Sequence, residues 1–335
     1  EETLTLSFSE IVDLGTFDPS KITLQSLSSQ EAGIQAVALS LLSTTVVTAS
    51  NSETILLELS TNLFSEIKLA SNLGSRKTST FITFPATMVK DRAPVPNSVT
   101  AILASEAQQA AVFIPDYNRP LLTSWAMNMS TNQITFTLSE PMDVETINFA
   151  EVTIMTDSEE LASTISVPLI NTESSAVLSQ SLTEMVVQLA TADANAIKSQ
   201  PPLCVASKTC YLKHSQLFGF DKSTFTDEGN IVRTRPLEFD PLEGTFSPDV
   251  YPPYLEAFSI DMNFGVIDLG FSEPVKFLEL DGSGLFFTET QSIESLERVF
   301  MSSNSFSNES TLAAIQLLLT TQDLNAIKAK DIMGS

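Results

Sequence analysis

Apolar and polar residues alternate over short stretches of this chain, which is the period of a β-strand with one buried face. The stretch 133–139, for example, places Ile134, Phe136 and Leu138 on one face and threonines on the other. Sixteen prolines and eleven glycines interrupt such stretches. The pattern predicts an all-β chain of short antiparallel strands and turns, in the manner of a β-sandwich.

One of these strand patterns occurs three times. It reads L-T-L-S-F-S-E, then I-T-F-T-L-S-E, then I-D-L-G-F-S-E, and its final residues are Glu10, Glu140 and Glu273. A period of about 130 residues with a strand pattern inside it indicates tandem copies of one fold.

A second pattern follows each of the first. An apolar strand leads into a turn or helical turn that ends in I-K, and the lysines are 130 residues apart: Lys68, Lys198 and Lys328. We expect the isoleucine before each lysine to be a buried anchor. Recurrence in every copy assigns these lysines and the three glutamates a structural role.

Pro115-Asp116 and Pro248-Asp249 mark the predicted boundaries, because proline stiffens a connection and ends a strand ladder. The predicted domains are 1–116, 117–249 and 250–335, called repeats 1, 2 and 3 below. By comparison with repeat 2, we expect repeat 1 to lack the strand before its F-S-E strand and repeat 3 to be truncated. Incomplete sheets leave free edges. Either the chain is part of a longer array, or neighbouring subunits complete one another.

Composition excludes some partners. The chain has 41 acidic and 17 basic residues, a formal charge of −24, which disfavours nucleic acid and anionic membrane surfaces. No stretch reaches the roughly 18 apolar residues that a membrane span needs.

The chain has two cysteines, Cys204 and Cys210. A local disulfide formed in an oxidising compartment is the favoured interpretation, and two free thiols are the alternative. A metal site is disfavoured, because His214 is the only histidine available to help.

The recurring glutamates, with Asp13 and Asp143 three residues after two of them, allow an acid/base pair or a calcium ligand set. We favour glutamates that face solvent or cap a turn, because one active site does not need three copies. No nucleophile motif surrounds a serine, and no cofactor is expected. Calcium stays open as a minor hypothesis, with ligands near predicted turns: Asp227, Glu228, Asp240 and Asp249.

Two sequons make Asn128 and Asn308 candidate N-glycosylation sites. Four aromatic residues fall near the predicted linkers, where they either form a carbohydrate platform or pack one domain onto the next: Tyr117, Trp125, Tyr251 and Tyr254.

The chain resembles bacterial-type immunoglobulin-like domains, which occur in tandem in surface-layer, adhesin and cell-wall proteins of microbes and algae. The resemblance rests on F-S-E-P-V at 271–275 and the similar segments around Phe8 and Leu138. It rests also on the turns at 13–18 and 143–148 and on D-E-G-N-I-V at 227–232. Repeat 1 departs from this resemblance at 90–97. The sequence N-A-I-K, which ends at Lys198 and again at Lys328, indicates a divergent algal or protist branch. The resemblance implies a structural module at the cell surface without catalytic residues.

These observations together predict a non-enzymatic extracellular protein whose immunoglobulin-like domains assemble head to tail into a fibril, appendage or surface layer. Strand complementation between subunits is one way to join the copies. The alternative is an adhesin stalk or glycan-binding module. An enzyme whose catalytic domain is joined to accessory domains is disfavoured, because no non-repeated stretch is long enough for a catalytic domain.

Overall fold

A computed structural model of the chain describes residues 2–29, 32–70, 72–116, 120–159, 161–170, 175–215, 217–221, 242–276, 284–288, 298–301, 305–306 and 313–329. Within these ranges the chain is mostly β-structure, with three α-helices of eight or nine residues. The predicted predominance of short antiparallel strands is confirmed. No described helix is long and apolar enough to cross a bilayer.

Repeat 1 contains two sheets and one helix. Strands β4, β5 and β1 form one sheet in the order β4-β5-β1, and the other sheet has the order β3-β2-β6-β7. Helix α1, Thr61–Leu69, follows β5 directly. The strands are β1 Thr3–Val12, β2 Thr23–Gln25, β3 Ala36–Ala38, β4 Thr44–Val46, β5 Ser52–Leu59, β6 Phe81–Thr83 and β7 Gln108–Gln109.

Repeat 2 has the same plan with more strands. Its two main sheets have the orders β13-β14-β9-β8-β18 and β12-β11-β15-β17, and β10 pairs with β16. Strand β18 runs parallel to β8. Helix α2 is Thr191–Lys198. The strands are β8 Leu122–Asn128, β9 Gln133–Leu138, β10 Met142–Asp143, β11 Val152–Met155, β12 Ser166–Pro168, β13 Ala176–Gln180, β14 Glu184–Gln188, β15 Tyr211–His214, β16 Phe220–Asp221, β17 Leu242–Glu243 and β18 Thr245–Ser247.

Repeat 3 has a sheet of order β19-β20-β24-β23 and a second pair, β21-β22. Helix α3, Thr321–Ala329, follows β24 after two residues. The strands are β19 Leu255–Asp261, β20 Val266–Phe271, β21 Phe286–Thr288, β22 Arg298–Phe300, β23 Ser305–Phe306 and β24 Ala314–Leu318.

The predicted sequence copies correspond to one recurring structural unit. Strands β1, β9 and β20 carry Phe8, Leu138 and Phe271, and each pairs antiparallel with the strand that leads into a helix, namely β5, β14 and β24. Each helix carries a landmark lysine in its last turn. The isoleucine before each lysine is buried, as predicted.

The buried side chains form three separate clusters, one within each of the ranges 6–89, 125–218 and 267–317. In repeat 2 both main sheets contribute to one cluster: β9 supplies Ile134, Phe136 and Leu138, and β11 supplies Val152 and Ile154. The predicted inward alternation of β9 is therefore confirmed.

Trp125 contradicts its sequence interpretation. Its side chain is 2% exposed inside the cluster of repeat 2, so it neither forms a platform nor packs between domains. A Cβ on Gly244 would lie 2.5 Å from the indole, which explains why glycine stands there.

Cys204 and Cys210 form a disulfide, as predicted. Cys204 has φ 48°, in the left-handed region, and Gly74 occupies the corresponding position of repeat 1 with φ 63°. Repeat 1 therefore uses the conformational freedom of glycine where repeat 2 has a cross-linked cysteine.

Candidate functional site at the junctions between repeats

The landmark lysine of repeat 1 is positioned by a short, well-anchored helix. The Ser60 side chain caps α1 by accepting a hydrogen bond from the backbone N–H of Leu63, at 3.2 Å. Leu63 and Ile67, four residues apart, are buried on one face of the helix. Lys68 follows at the C-terminal end, where a cation interacts favourably with the helix dipole.

The glutamate of repeat 2 is positioned by the serine before it. Ser139 accepts a hydrogen bond from the Leu121 N–H through its hydroxyl (2.9 Å), and its own N–H donates to the Leu121 carbonyl (2.8 Å). This reciprocal pair fixes the chain entering the repeat. Glu140 follows directly and is 7% exposed.

The same arrangement recurs in repeat 3. The Ser272 hydroxyl accepts from the N–H of Tyr254 at 3.1 Å, and the Ser272 N–H donates to the Tyr254 carbonyl at 3.0 Å. Glu273 comes next. The serine of the S-E motif thus holds the incoming strand, and the glutamate is left to act between repeats.

Lysine, linker aspartate and glutamate meet at each junction. The Lys68 ammonium of repeat 1 donates to Asp116 in the linker and to Glu140 of repeat 2. At the next junction Lys198 donates to Asp249, at 2.5 Å, and to Glu273, at 2.7 Å. Each lysine therefore ties its own repeat to the linker and to the following repeat.

The electrostatics favour a charged lysine at both junctions. Burial by itself lowers the pKa of each ammonium, but the two carboxylates beside it outweigh burial through their charge and hydrogen bonds. The pKa values of Lys68 and Lys198 are consequently raised above the ordinary value. Both side chains remain protonated at neutral pH.

The two carboxyl groups at Lys198 differ from each other. Burial favours the neutral form of both, but hydrogen bonds with Lys198, Glu273 and the Tyr251 backbone lower the pKa of Asp249 below its ordinary value. Burial and the neighbouring Asp249 carboxyl raise the pKa of Glu273 despite its contact with Lys198. Asp249 is therefore the stronger anionic partner.

The linker after repeat 2 is held by further contacts. Ser130, in the turn between β8 and β9, donates its hydroxyl to the Pro248 carbonyl at 3.2 Å and accepts from the Val250 N–H at 3.0 Å. Asp249 also accepts from the Tyr251 N–H at 3.0 Å. The carboxylate is thereby presented to Lys198 in a fixed position.

The sequence interpretation of the glutamates was wrong for Glu140 and Glu273. They neither face solvent nor cap a turn, because each binds a lysine of the preceding repeat. Glu10 does lie exposed. Asp13 and Asp143 cap short 3-10 turns by accepting from the N–H two residues ahead.

The other predicted sites are placed as follows. Asn128 is exposed at the end of β8 and accepts from the Ser130 N–H at 3.0 Å. Tyr251 and Tyr254 are exposed. Asp249 binds Lys198, and the described part of the chain contains no group of three potential metal ligands. Five candidates lie outside the described residues: Tyr117, Asp227, Glu228, Asp240 and Asn308.

An open cavity of about 560 Å³ lies on repeat 2, lined by residues that include Glu151, Thr153, Thr164 and His214. The Nδ1–H of His214 donates to the Ser215 carbonyl at 2.9 Å, and Ser215 donates its hydroxyl to Glu151. Burial lowers the pKa of His214. The imidazole contacts the serine backbone rather than its hydroxyl, so this is not the geometry of an activated nucleophile.

Sequence reasoning identified the six landmark residues but not their partnership. A signal was present, since residues of opposite charge recur on either side of each predicted linker, and each linker supplies an aspartate. The pairs are separated by 72 and 75 residues, so spacing alone did not connect them.

No family model matches the chain, and no curated protein is similar to it. Among solved structures, a marsupial T cell receptor is 8% identical, with 94% of this chain and 91% of that chain covered and a TM-score of 0.16. S. aureus TarS is 10% identical, with 73% and 40% covered and a TM-score of 0.16. Similarity this low supports no argument about fold or function.

Proposed function

We propose that this chain is a non-enzymatic extracellular structural protein of tandem immunoglobulin-like β-sandwich domains that join end to end into a fibril, appendage or surface layer. The observation that carries the proposal is the repeated junction: two successive linkers are held by a lysine from one repeat, an aspartate in the linker and a glutamate from the next repeat.

A junction of this kind suits a load-bearing array. Domains joined by a short linker move relative to one another unless their contact is fixed. A partly buried ion pair contributes little net stability, but it penalises any orientation that separates the charges. The lysine junctions therefore favour one orientation between neighbouring repeats.

Backbone pairing between a strand of one copy and a sheet edge of another is one way to join the copies.

Two features support the proposed extracellular location. A disulfide persists in oxidising surroundings, which supports an extracellular location. The formal charge of −24 suits a solvated surface. Asn128 and Asn308 remain proposed N-glycan acceptors, and an intact mass equal to the bare polypeptide would remove them.

The test is assembly of the purified chain. Sedimentation velocity over a range of protein concentrations, with negative-stain microscopy of the heaviest species, is expected to show linear oligomers one chain wide. Monomers alone at the highest concentration would contradict the proposal. Compact closed oligomers would contradict its end-to-end form.

A second candidate is an adhesin stalk or glycan-binding module, which the open cavity on repeat 2 favours. Threonine hydroxyls, a carboxylate and an imidazole line it, and such groups bind sugar hydroxyls. A glycan array separates the candidates: a pure building block retains no glycan. Binding that survives Thr153→Trp, which fills the cavity, would place any glycan site elsewhere.

A further inference from the structure

We propose that each junction condenses to a covalent cross-link, an amide between the side chain of the lysine and the carboxyl group of the linker aspartate. In the product Lys68 is joined to Asp116, and Lys198 is joined to Asp249. The structure shows the ion-paired state that precedes this reaction. The inference concerns contacts within one chain and does not depend on assembly between chains.

The groups that would react are already in contact. The Lys198 Nζ lies 2.5 Å from Oδ2 of Asp249. The Lys68 ammonium contacts Asp116 in the same way. Each lysine lies at the end of a helix that a buried isoleucine anchors. An amine held against a carboxyl group reacts far faster than the same groups free in solution, because folding has already paid the entropy of bringing them together.

A second carboxyl group at each junction is placed to transfer protons. Oε2 of Glu273 lies 2.7 Å from the Lys198 Nζ, and the same carboxyl group hydrogen-bonds to Asp249. Glu273 therefore contacts both the nitrogen that must lose protons and the carboxyl group that must gain them. Glu140 contacts Lys68 at the first junction. An ion pair needs one carboxylate, whereas condensation with proton transfer needs two carboxyl groups.

A backbone N–H is placed to stabilise the charge that develops during the reaction. Addition of an amine to Cγ of Asp249 places negative charge on one of its oxygens. The Tyr251 N–H donates to Oδ1 of Asp249 at 3.0 Å, so Oδ1 accepts this charge and becomes the amide oxygen. Oδ2, which contacts Lys198, is then the oxygen that leaves as water.

The reaction balances with water as its by-product. The Lys198 ammonium passes one proton to Oδ2 of Asp249, which leaves a neutral amine beside a neutral carboxyl group. The amine attacks Cγ, so that an N–C bond forms and the bond from Cγ to Oδ2 breaks. Glu273 takes a second proton from the nitrogen and delivers a proton to Oδ2. Water departs, and Glu273 ends in the protonation state in which it began.

Burial favours the neutral product. At the first junction the side chains of the lysine, the aspartate and the glutamate are 7%, 11% and 9% exposed. Keeping charges in such surroundings costs free energy, and amide formation removes one positive and one negative charge. Restricted access of water also slows hydrolysis, the reverse reaction. Condensation thus makes permanent a contact that is reversible in the ion-paired state.

The test is the mass of the full chain after prolonged incubation in the folded state near neutral pH. The parent chain is expected to lose the mass of one water at each of the two junctions. Proteolysis should release branched peptides that join Lys68 to Asp116 and Lys198 to Asp249. The same chain incubated in urea should give no branched peptide, because unfolding separates the reacting groups.

Variants at the second junction test the assigned roles, and the first junction of the same chain is an internal control. Lys198→Arg keeps the positive charge but removes the amine, so the branched peptide at Asp249 should be lost while the Lys68 peptide persists. Glu273→Gln keeps the shape of the side chain but does not transfer the proton. It should slow condensation at Lys198 about a hundredfold.

The matched controls are Lys208→Arg and Glu184→Gln, which make the same changes at exposed positions of repeat 2. Both should condense like the parent chain. A folded parent chain that yields no branched peptide overturns the cross-link and leaves the proposed assembly untouched. A peptide that joins Lys198 to Glu273 overturns the assignment of the reacting carboxyl group. Equal rates in the parent chain and in Glu273→Gln overturn the proton transfer.

Discussion

The two junctions use the same three residue types but differ in how far water is excluded. At the first junction the side chains of Lys68, Asp116 and Glu140 are 7%, 11% and 9% exposed. At the second, the corresponding side chains of Lys198, Asp249 and Glu273 are 14%, 22% and 13% exposed. Charge interactions strengthen as water is removed, and so does the cost of leaving one charge without its partner.

The same three residue types therefore form contacts of unequal strength at the two junctions. Both lysines have raised pKa values, and Asp249 and Glu273 have pKa values shifted in opposite directions. The first junction should therefore be the more sensitive to loss of its lysine, and the second the more tolerant of losing a carboxylate.

The largest effect is expected from Lys68→Met. It leaves two buried carboxylates without a cation and should cost about 3–5 kcal/mol in the free energy of unfolding, with a smaller loss for Lys198→Met. Urea unfolding followed by the fluorescence of Trp125 measures both, because this single tryptophan lies in the repeat that the two junctions share.

Lys21→Met is the matched control, since Lys21 is exposed in repeat 1. It should change stability by less than about 0.5 kcal/mol. A loss at Lys198→Met as large as that at Lys68→Met would refute the ranking of the two junctions.

Removal of the disulfide should have an intermediate effect. The double variant Cys204→Gly/Cys210→Thr copies Gly74 and Thr80 of repeat 1 and should cost about 2 kcal/mol, because a short-loop cross-link is lost. The same urea titration with and without reductant measures it. Reductant should destabilise the parent chain but not the variant, and equal sensitivity of both would show that the bridge does not act through this loop.

Substitution of the junction glutamates tests the difference between the two junctions. Glu140→Gln should cost about 2 kcal/mol, because it removes a buried charge that Lys68 binds. Glu273→Gln should cost less than about 1 kcal/mol, because the raised pKa of Glu273 means that its charge is already disfavoured beside Asp249. Thermal unfolding at neutral pH ranks them, with the exposed Glu10→Gln as control. A larger loss for Glu273→Gln than for Glu140→Gln would contradict the expected difference between the two junctions.

The smallest effect is expected at alkaline pH. A lysine whose folded pKa is raised contributes stability that is fully present below its unfolded pKa of about 10.5 and is lost as the pH rises through the higher folded value. Unfolding free energy should therefore fall above about pH 10.5 in the parent chain and fall less in Lys68→Met. An identical alkaline profile in both would disconnect the loss from this lysine.

In acid, the two carboxyl groups of the second junction have opposite effects on the free energy of unfolding. The lowered pKa of Asp249 gives stability that is lost as the pH falls through its folded value, whereas the raised pKa of Glu273 favours the protonated, folded state. The two trends oppose each other in mild acid. The linker after repeat 2 should therefore stay in place below neutral pH until Asp249 itself is protonated.

Much of the strand arrangement followed from local pattern. The alternation in β9 predicted its buried face, and the repeated motifs placed Phe8, Leu138 and Phe271 in equivalent strands. The disulfide also followed, because two nearby cysteines in a chain with one histidine leave few alternatives.

The rest depended on three-dimensional placement. Strand β13 forms in a serine-rich stretch, because its pairing with β14 overrides the local composition. Trp125 stands close to a linker in sequence, but β8 turns it into the core. The lysine junctions require the orientation of one repeat against the next, which no local period specifies.

The lysine contacts have a mechanical consequence. Each ammonium bridges the end of a helix to a strand end in the next repeat, so tension along the array would reach these contacts before it reached the backbone ladders of the sheets. The lysine contacts would therefore break first under tension and form again when the tension was released. The array would extend reversibly at the junctions between repeats while every sheet stayed intact.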